Sequence, residues 1–319
     1  RGASLTAIDA IRTLARHNGT FQRNDKVELI YQIDTGSENF KIMLHTRSGM
    51  LPVIRFHQEE PFCAHSLLIS EEELMLNRLE NEGFVSLDFL FERNFKSQFK
   101  VKDPDFYAII EKLSLEDFVE TVLSLRGQKD PFEGFREEYQ QSLNSIRKEQ
   151  SIYWKELLAA LSFTLNYPAK YMSAEDMLRL KKVLMPLISI VIAFVPQGSS
   201  RELLALHDAG RLDLINVGDG SHLEPGEHCG ANYFYSDEKG EVLKTHYKTF
   251  VDCVGQQAMG FEDFPFKSLV DNGNISPAYL RFRSVDRAKA ELLAGNDHMF
   301  VASDGAIFLQ VSGIKSDDR

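Results

Sequence analysis

The sequence predicts an α/β fold in which a Rossmann-like domain is interrupted by a large α-helical insertion, and three observations carry this. A turn of small residues, Gly2-Ala3-Ser4-Leu5-Thr6-Ala7, opens into a segment with helical periodicity. Strand-like runs lie on both sides of a long central stretch. Within that stretch, helix starts recur and strand signals fade. Residues 1–61 and 187–257 are accordingly read as two parts of the Rossmann-like domain, 62–186 as the insertion and 258–319 as a C-terminal segment.

The first element places Ile8, Ile11, Leu14 and Ala15 at helical spacing and stops at Asn18-Gly19. VELIYQID (27–34) and NFKIMLHTRSG (39–49) then read as two strands, with Thr35-Gly36-Ser37 between them as the turn of a hairpin. From about Ser70 to Met185, helix starts recur at Ser70, Asp103-Pro104, Ser114, Asp130-Pro131 and Ser173. Each sets a capping side chain before acidic residues or proline, which satisfies free N–H groups and suits the helix dipole. Six phenylalanines between Phe84 and Phe106 are read as core.

LISIVIAFV (187–195) is rich in β-branched residues and reads as a central strand, a buried helix being the alternative. A helix to Ala209 and a strand LDLINVG (212–218) follow, giving a βαβ-like succession. ANYFYSDEKGEVLKTHYKTFVDCVG adds two or three strands around a turn at residues 237–240. A short helix near Phe266 to Asp271 and a hairpin around Ser303-Asp304-Gly305 complete the chain.

At 319 residues the chain is long enough for two compact units, and 43% hydrophobic residues including 23 Phe argue for substantial burial. A formal charge of -11 opposes a nucleic-acid partner, which needs a clustered basic face. The apolar run around Val183 to Val195 contains Pro186 and Ser189 and falls short of the roughly 20 residues of a membrane span. Cys63, Cys229 and Cys253 form no CxxC pair, which fits a reducing, cytoplasmic setting and excludes dithiol exchange chemistry. His222, Glu224, Glu227, His228 and Cys229 lie in a polar loop without a zinc-ligand spacing, so no metal site is expected. Neither a G-x-S-x-G elbow nor a phosphate-binding G-x-x-x-x-G-K-[ST] loop is present.

The turn at Gly2 has the pattern G-x-S-x-x-A, a relaxed form of the dinucleotide fingerprint. Gly2 permits the tight turn, Ser4 lets a pyrophosphate approach backbone amides, and Ala7 allows close helix–sheet packing. The plain alternative is a helix N-terminus capped by Ser4. GASLTAIDAIRTLARHNG, the later Thr46-Arg47-Ser48-Gly49-Met50-Leu51-Pro52 and the strand-like FVDCVGQQ (250–257) together resemble a bacterial family of FAD/NAD(P)-binding proteins. These are distant relatives of pyridine nucleotide-disulphide oxidoreductases and flavin N-hydroxylases. The resemblance covers roughly Arg1 to Pro61 and Val191 to Ile314. Cys253-Val254-Gly255 departs from the family's A-T-G-like turn by lacking the threonine.

The resemblance implies an NADP or NAD site with its pyrophosphate on the amides of Ser4, Leu5 and Thr6, and with Arg47 and Ser48 near the adenosine ribose. Arg47 would pair with a 2′-phosphate if the cofactor is NADP. Gly255 would let the backbone pass close to a cofactor. The segment through Gly313 would return toward a flavin domain. It implies an oxidoreductase that passes hydride from nicotinamide to FAD and on to a small-molecule substrate or oxygen. The flavin-binding glycine motif, and the strand leading into Gly2, would lie upstream of Arg1, so this chain alone is expected to be inactive. The residues name no catalytic acid, base or nucleophile. A non-catalytic nucleotide-sensing or protein-interaction module and a Rossmann-type methyltransferase are the alternatives.

Overall fold

The first helix, α1 (Leu5–Asn18), buries Ala7, Ile8, Ile11 and Ala15 along one stripe and stops at Gly19, as its pattern predicts. It belongs to a computed structural model that describes residues 1–59, 69–218, 220–237, 239–255 and 261–316; Cys63 lies outside these. The fold is mixed α/β.

Three strands follow: β1 (Gly19–Arg23), β2 (Leu29–Ile33) and β3 (Ile42–Thr46). A helical stretch comprises α2 (Glu71–Glu80), α3 (Leu87–Asn94), α4 (Phe99–Lys102), α5 (Pro104–Ile110), α6 (Leu115–Gly127), α7 (Pro131–Lys148), α8 (Tyr153–Thr164), α9 (Ala174–Arg179), α10 (Met185–Ile192) and α11 (Gln197–Asp208). Then come β4 (Leu212–Asn216), β5 (His222–Pro225), β6 (Ala231–Ser236) and β7 (Val242–Tyr247). The chain closes with α12 (Lys267–Asp271), β8 (Ile275–Arg281), α13 (Val285–Leu293), β9 (Met299–Val301) and β10 (Ile307–Ser316).

The predicted caps are in place. Ser70 and Glu73 form a reciprocal capping box, Asp103 and Asp130 cap the proline-led α5 and α7, and Ser173 caps α9. Each is a local feature, fixed by residues a few positions apart.

Two expectations need correction. The hairpin after α1 joins β1 to β2, with Gly19 opposite Ile33, and the second predicted strand leaves it altogether. Asn24 Oδ1 accepts the Lys26 and Glu28 amides and so closes the earlier turn. β3 instead pairs in parallel with β4, Ile42 opposite Leu212 through Thr46 opposite Asn216. The run 187–195 is mostly helix: α10 continues from α9 through a π-helical turn at Leu180–Leu184, and Leu187, Ile188 and Val191 are fully buried. Only Val195 is strand-like, in a parallel bridge to Ile54. Burial on a helical stripe outweighs the β preference of the branched residues.

The chain divides into two compact units. The first comprises Arg1–Glu59, Glu120–Glu156 and Ser189–Gly255. Its core joins the buried stripe of α1 to Leu44 of β3, Phe132 and Phe135 of α7, Leu203 and Leu206 of α11, and Leu212 of β4. Arg12 and Arg16 both pair with Glu202, tying α1 to α11. A separate antiparallel sheet, β5-β6-β7, turns at Asp237, whose carboxylate accepts the Lys239 and Glu241 amides.

The second unit comprises Glu60–Val119, Leu157–Ile188 and Gln256–Arg319. Of the six phenylalanines expected as core, Phe91, Phe95 and Phe99 are buried, linked by ring contacts to one another and to the buried Phe118, whereas Phe84, Phe89 and Phe106 are only partly buried. Arg179 of α9 joins Asp88 of α3 and Glu116 of α6. The sheet β8-β10-β9 buries Leu280 and Leu309 against Ala174 and Leu178. Among the described residues no helix is long and apolar enough to cross a membrane.

Candidate functional site

The candidate site is built where α1 begins, in the first unit. Gly2 is held at φ +101°, a region open chiefly to glycine, and a Cβ there would lie 2.6 Å from the Cys253 carbonyl oxygen. Both constraints select glycine. The Gly2 amide donates to the His45 carbonyl of β3 at 2.9 Å. On the other side, the Arg1 terminal nitrogen donates to the Val251 carbonyl at 2.9 Å, and the Cys253 amide donates to the Arg1 carbonyl at 2.8 Å. That alternation, one bond back and one forward, is the parallel-strand pattern. The turn therefore leaves the sheet at the carboxyl ends of parallel strands.

Ser4 occupies the N-cap of α1 but makes no side-chain cap; its hydroxyl donates to the Cys253 carbonyl at 3.2 Å. The first intrahelical bond runs from Ile8 to Ser4, so the amides of Leu5, Thr6 and Ala7 precede the ladder. No acidic residue stands in the first turn, and Ser4, Leu5 and Thr6 are exposed. An uncapped, accessible helix N-terminus carries partial positive charge and aims N–H groups outward, the physical requirement for receiving a phosphate.

The end of β3 supplies the next residues. Thr46 lies on the same face as Leu44, which packs with α1, since alternate residues of a strand share a face. It is 6% exposed, yet its hydroxyl meets no hydrogen-bond partner among the described residues. Buried hydroxyls are ordinarily satisfied, so this one is an exception at the end of β3. Arg47 and Ser48 follow on the exposed surface. Gly49, at φ +70°, turns the chain against Asn216 at the end of β4, where a Cβ would come within 3.2 Å of the Asn216 side chain. Asn216 in turn accepts the Gly218 amide at 3.3 Å.

Gly2, Ser4, Leu5, Thr6, Arg47, Ser48 and Gly255 all belong to this unit. Gly255 also has positive φ, +92°, but its Cβ position is open, so only backbone conformation favours glycine there. Gly313 belongs to the second unit, inside β10, where the register with β8 shifts between Val311 and Ile314. Thr46 and Asn216 escape sequence reasoning, because only the parallel pairing of β3 with β4 identifies them as neighbouring strand ends.

Behind β3 lies a buried aromatic group. His45 stacks on Tyr233, ring centroids 4.4 Å apart and planes 7° from parallel, and its Nε2 is 3.0 Å from the Tyr247 hydroxyl. Burial pushes its pKa down to about 4, so the ring is neutral at pH 7. Elsewhere His222 stacks on Phe234 rather than gathering with His228 and Cys229, and among the described residues no three potential ligands converge on a metal position.

Comparison with known proteins gives one family match confined to the helical stretch and one relative that covers most of the chain. The model of the family described as YdhS-like middle domain matches residues 70–192, a range that includes none of the strand ends or turns above. A protein of Escherichia coli (strain K12), called "Uncharacterized protein YdhS", is 26% identical over 275 residues, 84% of this chain and 49% of its own length. The chain thus spans about half the length of the curated relative that it matches.

Proposed function

We propose that the first unit is a Rossmann-like nucleotide-binding domain that holds NADP or NAD, and that it serves a FAD-dependent oxidoreductase. The observation that carries this reading is the uncapped N-terminus of α1, reached through a glycine turn that leaves the carboxyl edge of parallel strands. The residues present fit a dinucleotide. Gly2 removes the side chain that would block the turn, and the amides of the exposed Leu5 and Thr6 precede the helical ladder, where they would serve a pyrophosphate.

In this reading Arg47 and Ser48 meet the adenosine ribose. No carboxylate occupies Thr46, Arg47 or Ser48 to bind a ribose 2′-hydroxyl, whereas the Arg47 fork suits a 2′-phosphate. Bound nicotinamide would supply hydride; this chain's residues bind and orient the nucleotide. The flavin, the final acceptor and the substrate are part of the proposal through the family resemblance alone.

Calorimetric titration of NADPH and NADH into the chain and into Arg47→Ala tests the site. The expected result is saturable NADPH binding that Arg47→Ala weakens about 10- to 100-fold, the worth of a charge-assisted hydrogen bond, with little change for NADH. Binding of neither nucleotide would overturn the reading.

A further inference from the structure

The end of β4 carries a polar side chain that the nucleotide reading leaves without a role. Asn216 closes β4 opposite Thr46 of β3 and is exposed. Leu212 and Leu214 of the same strand pack into the core that holds the α1 stripe. Alternate residues of a strand share a face, so Asn216 stands on the α1 side of the ladder. Two features hold its carboxamide in place. Oδ1 accepts the Gly218 amide at 3.3 Å, which closes a turn two residues on. The carboxamide also lies against Gly49, where a Cβ would come 3.2 Å from Asn216 Cβ, 3.4 Å from Cγ and 3.5 Å from Nδ2. Glycine at 49 therefore gives the amide its space as well as suiting the φ of +70°. A carboxamide oxygen has two lone pairs and its nitrogen two protons. One Oδ1 lone pair and the Nδ2 protons so remain for a ligand, side by side in one plane and fixed before it arrives.

The lateral order of these elements sets what reaches Asn216. The Gly2 amide donates to His45, so the glycine turn lies beside β3, and β4 lies on the far side of β3. From turn to β4 is two strand spacings, roughly 10 Å. A nucleotide with its phosphate on the α1 N-terminus and its ribose by Arg47 and Ser48, at the end of β3, is extended in that direction. Its next group is the base, over the end of β4. We propose that Asn216 reads this base and selects adenine: Oδ1 accepts from the 6-amino group and Nδ2 donates to N7, the bidentate pairing that amide side chains make with adenine. A 6-oxo purine sets an acceptor against Oδ1 and loses that bond. The assignment rests on the proposed nucleotide site and adds to it the residue that distinguishes the base.

Two nucleotides that differ only in the base test it: NADPH and its deamino analogue, in which hypoxanthine replaces adenine. Both carry the 2′-phosphate, so any contribution of Arg47 cancels in their ratio. By calorimetry the wild type should bind NADPH about 5-fold or more tighter than the analogue, the low end for one bidentate amide–base pair. Asn216→Ala should bring the two affinities together. Asn216→Asp keeps an oxygen for the Gly218 amide and removes the Nδ2 donors, so it should retain the wild-type Tm and yet weaken NADPH. Equal affinity of the wild type for the two nucleotides would overturn the base contact and leave the nucleotide site standing. So would a preference that survives in Asn216→Ala, or NADPH binding by Asn216→Asp as tight as that of the wild type. Binding of neither nucleotide would remove both the contact and the site.

Discussion

Gly2 carries two separate constraints, and they are experimentally separable. Its positive φ alone disfavours any side chain, as at Gly36, where φ is +93° and the Cβ position is open. At Gly2 the Cβ would also strike the Cys253 carbonyl carbon and oxygen, at 2.9 and 2.6 Å, which are backbone atoms of the neighbouring extended segment. Gly36→Ala is expected to cost about 1 kcal/mol and Gly2→Ala about 2–4 kcal/mol, measured by urea unfolding. Equal costs would show that the contact with Cys253 relaxes freely. His45 makes a second residue-scale test. Its ordinary pKa of 6.5 falls to about 4 on burial, so the unfolded chain takes up that proton first as pH drops. The stabilisation from keeping His45 neutral is whole above pH 6.5 and is lost as pH falls from there toward 4. Urea midpoints of the wild type and His45→Phe should therefore diverge between pH 7 and pH 5; parallel curves would mean that His45 ionises freely in the fold.

At the scale of elements, α7 and α8 meet through a buried charge pair. The Lys155 side chain is 4% exposed and pairs with Glu138, which also receives Arg126 at 3.2 Å. Burial lowers the Lys155 pKa, the Glu138 carboxylate opposing that shift. Glu138→Leu should cost about 3–5 kcal/mol because it strands the ammonium, while adding Lys155→Met should recover most of the loss. A double variant as unstable as the single would place the cost in packing instead. The same scale shows what was legible in the sequence. Caps at Ser70, Asp103, Asp130 and Ser173 are readable because cap and helix are local in the chain. The partner of β3 is not: Ile42 pairs with Leu212, far along the chain, and nothing local distinguishes that from pairing with β2. For the same reason β1 and β5 were not foreseen, β5 lying in the polar SHLEP segment whose pairing with β6 is backbone-driven. The run at 187–195 fails differently: only a stripe including Leu187, Ile188 and Val191 is buried, while Ile192 is exposed, yet nearly every residue is apolar, so the sequence has no periodicity to separate helix from strand.

For the whole molecule, the candidate site draws on both chain segments that flank the helical stretch, residues 1–49 and 216–255, folded into one unit. Its residues were partly readable: the small-residue turn and Arg47 stand out in sequence, whereas Thr46 gains meaning only from a buried hydroxyl without a partner. The most direct test is hydrogen–deuterium exchange with and without NADPH at saturating concentration. Bound NADPH should slow exchange only at the amides around 2–8, 46–49, 216–218 and 253–255. Unchanged exchange at these four segments, or protection only in the second unit, would contradict it.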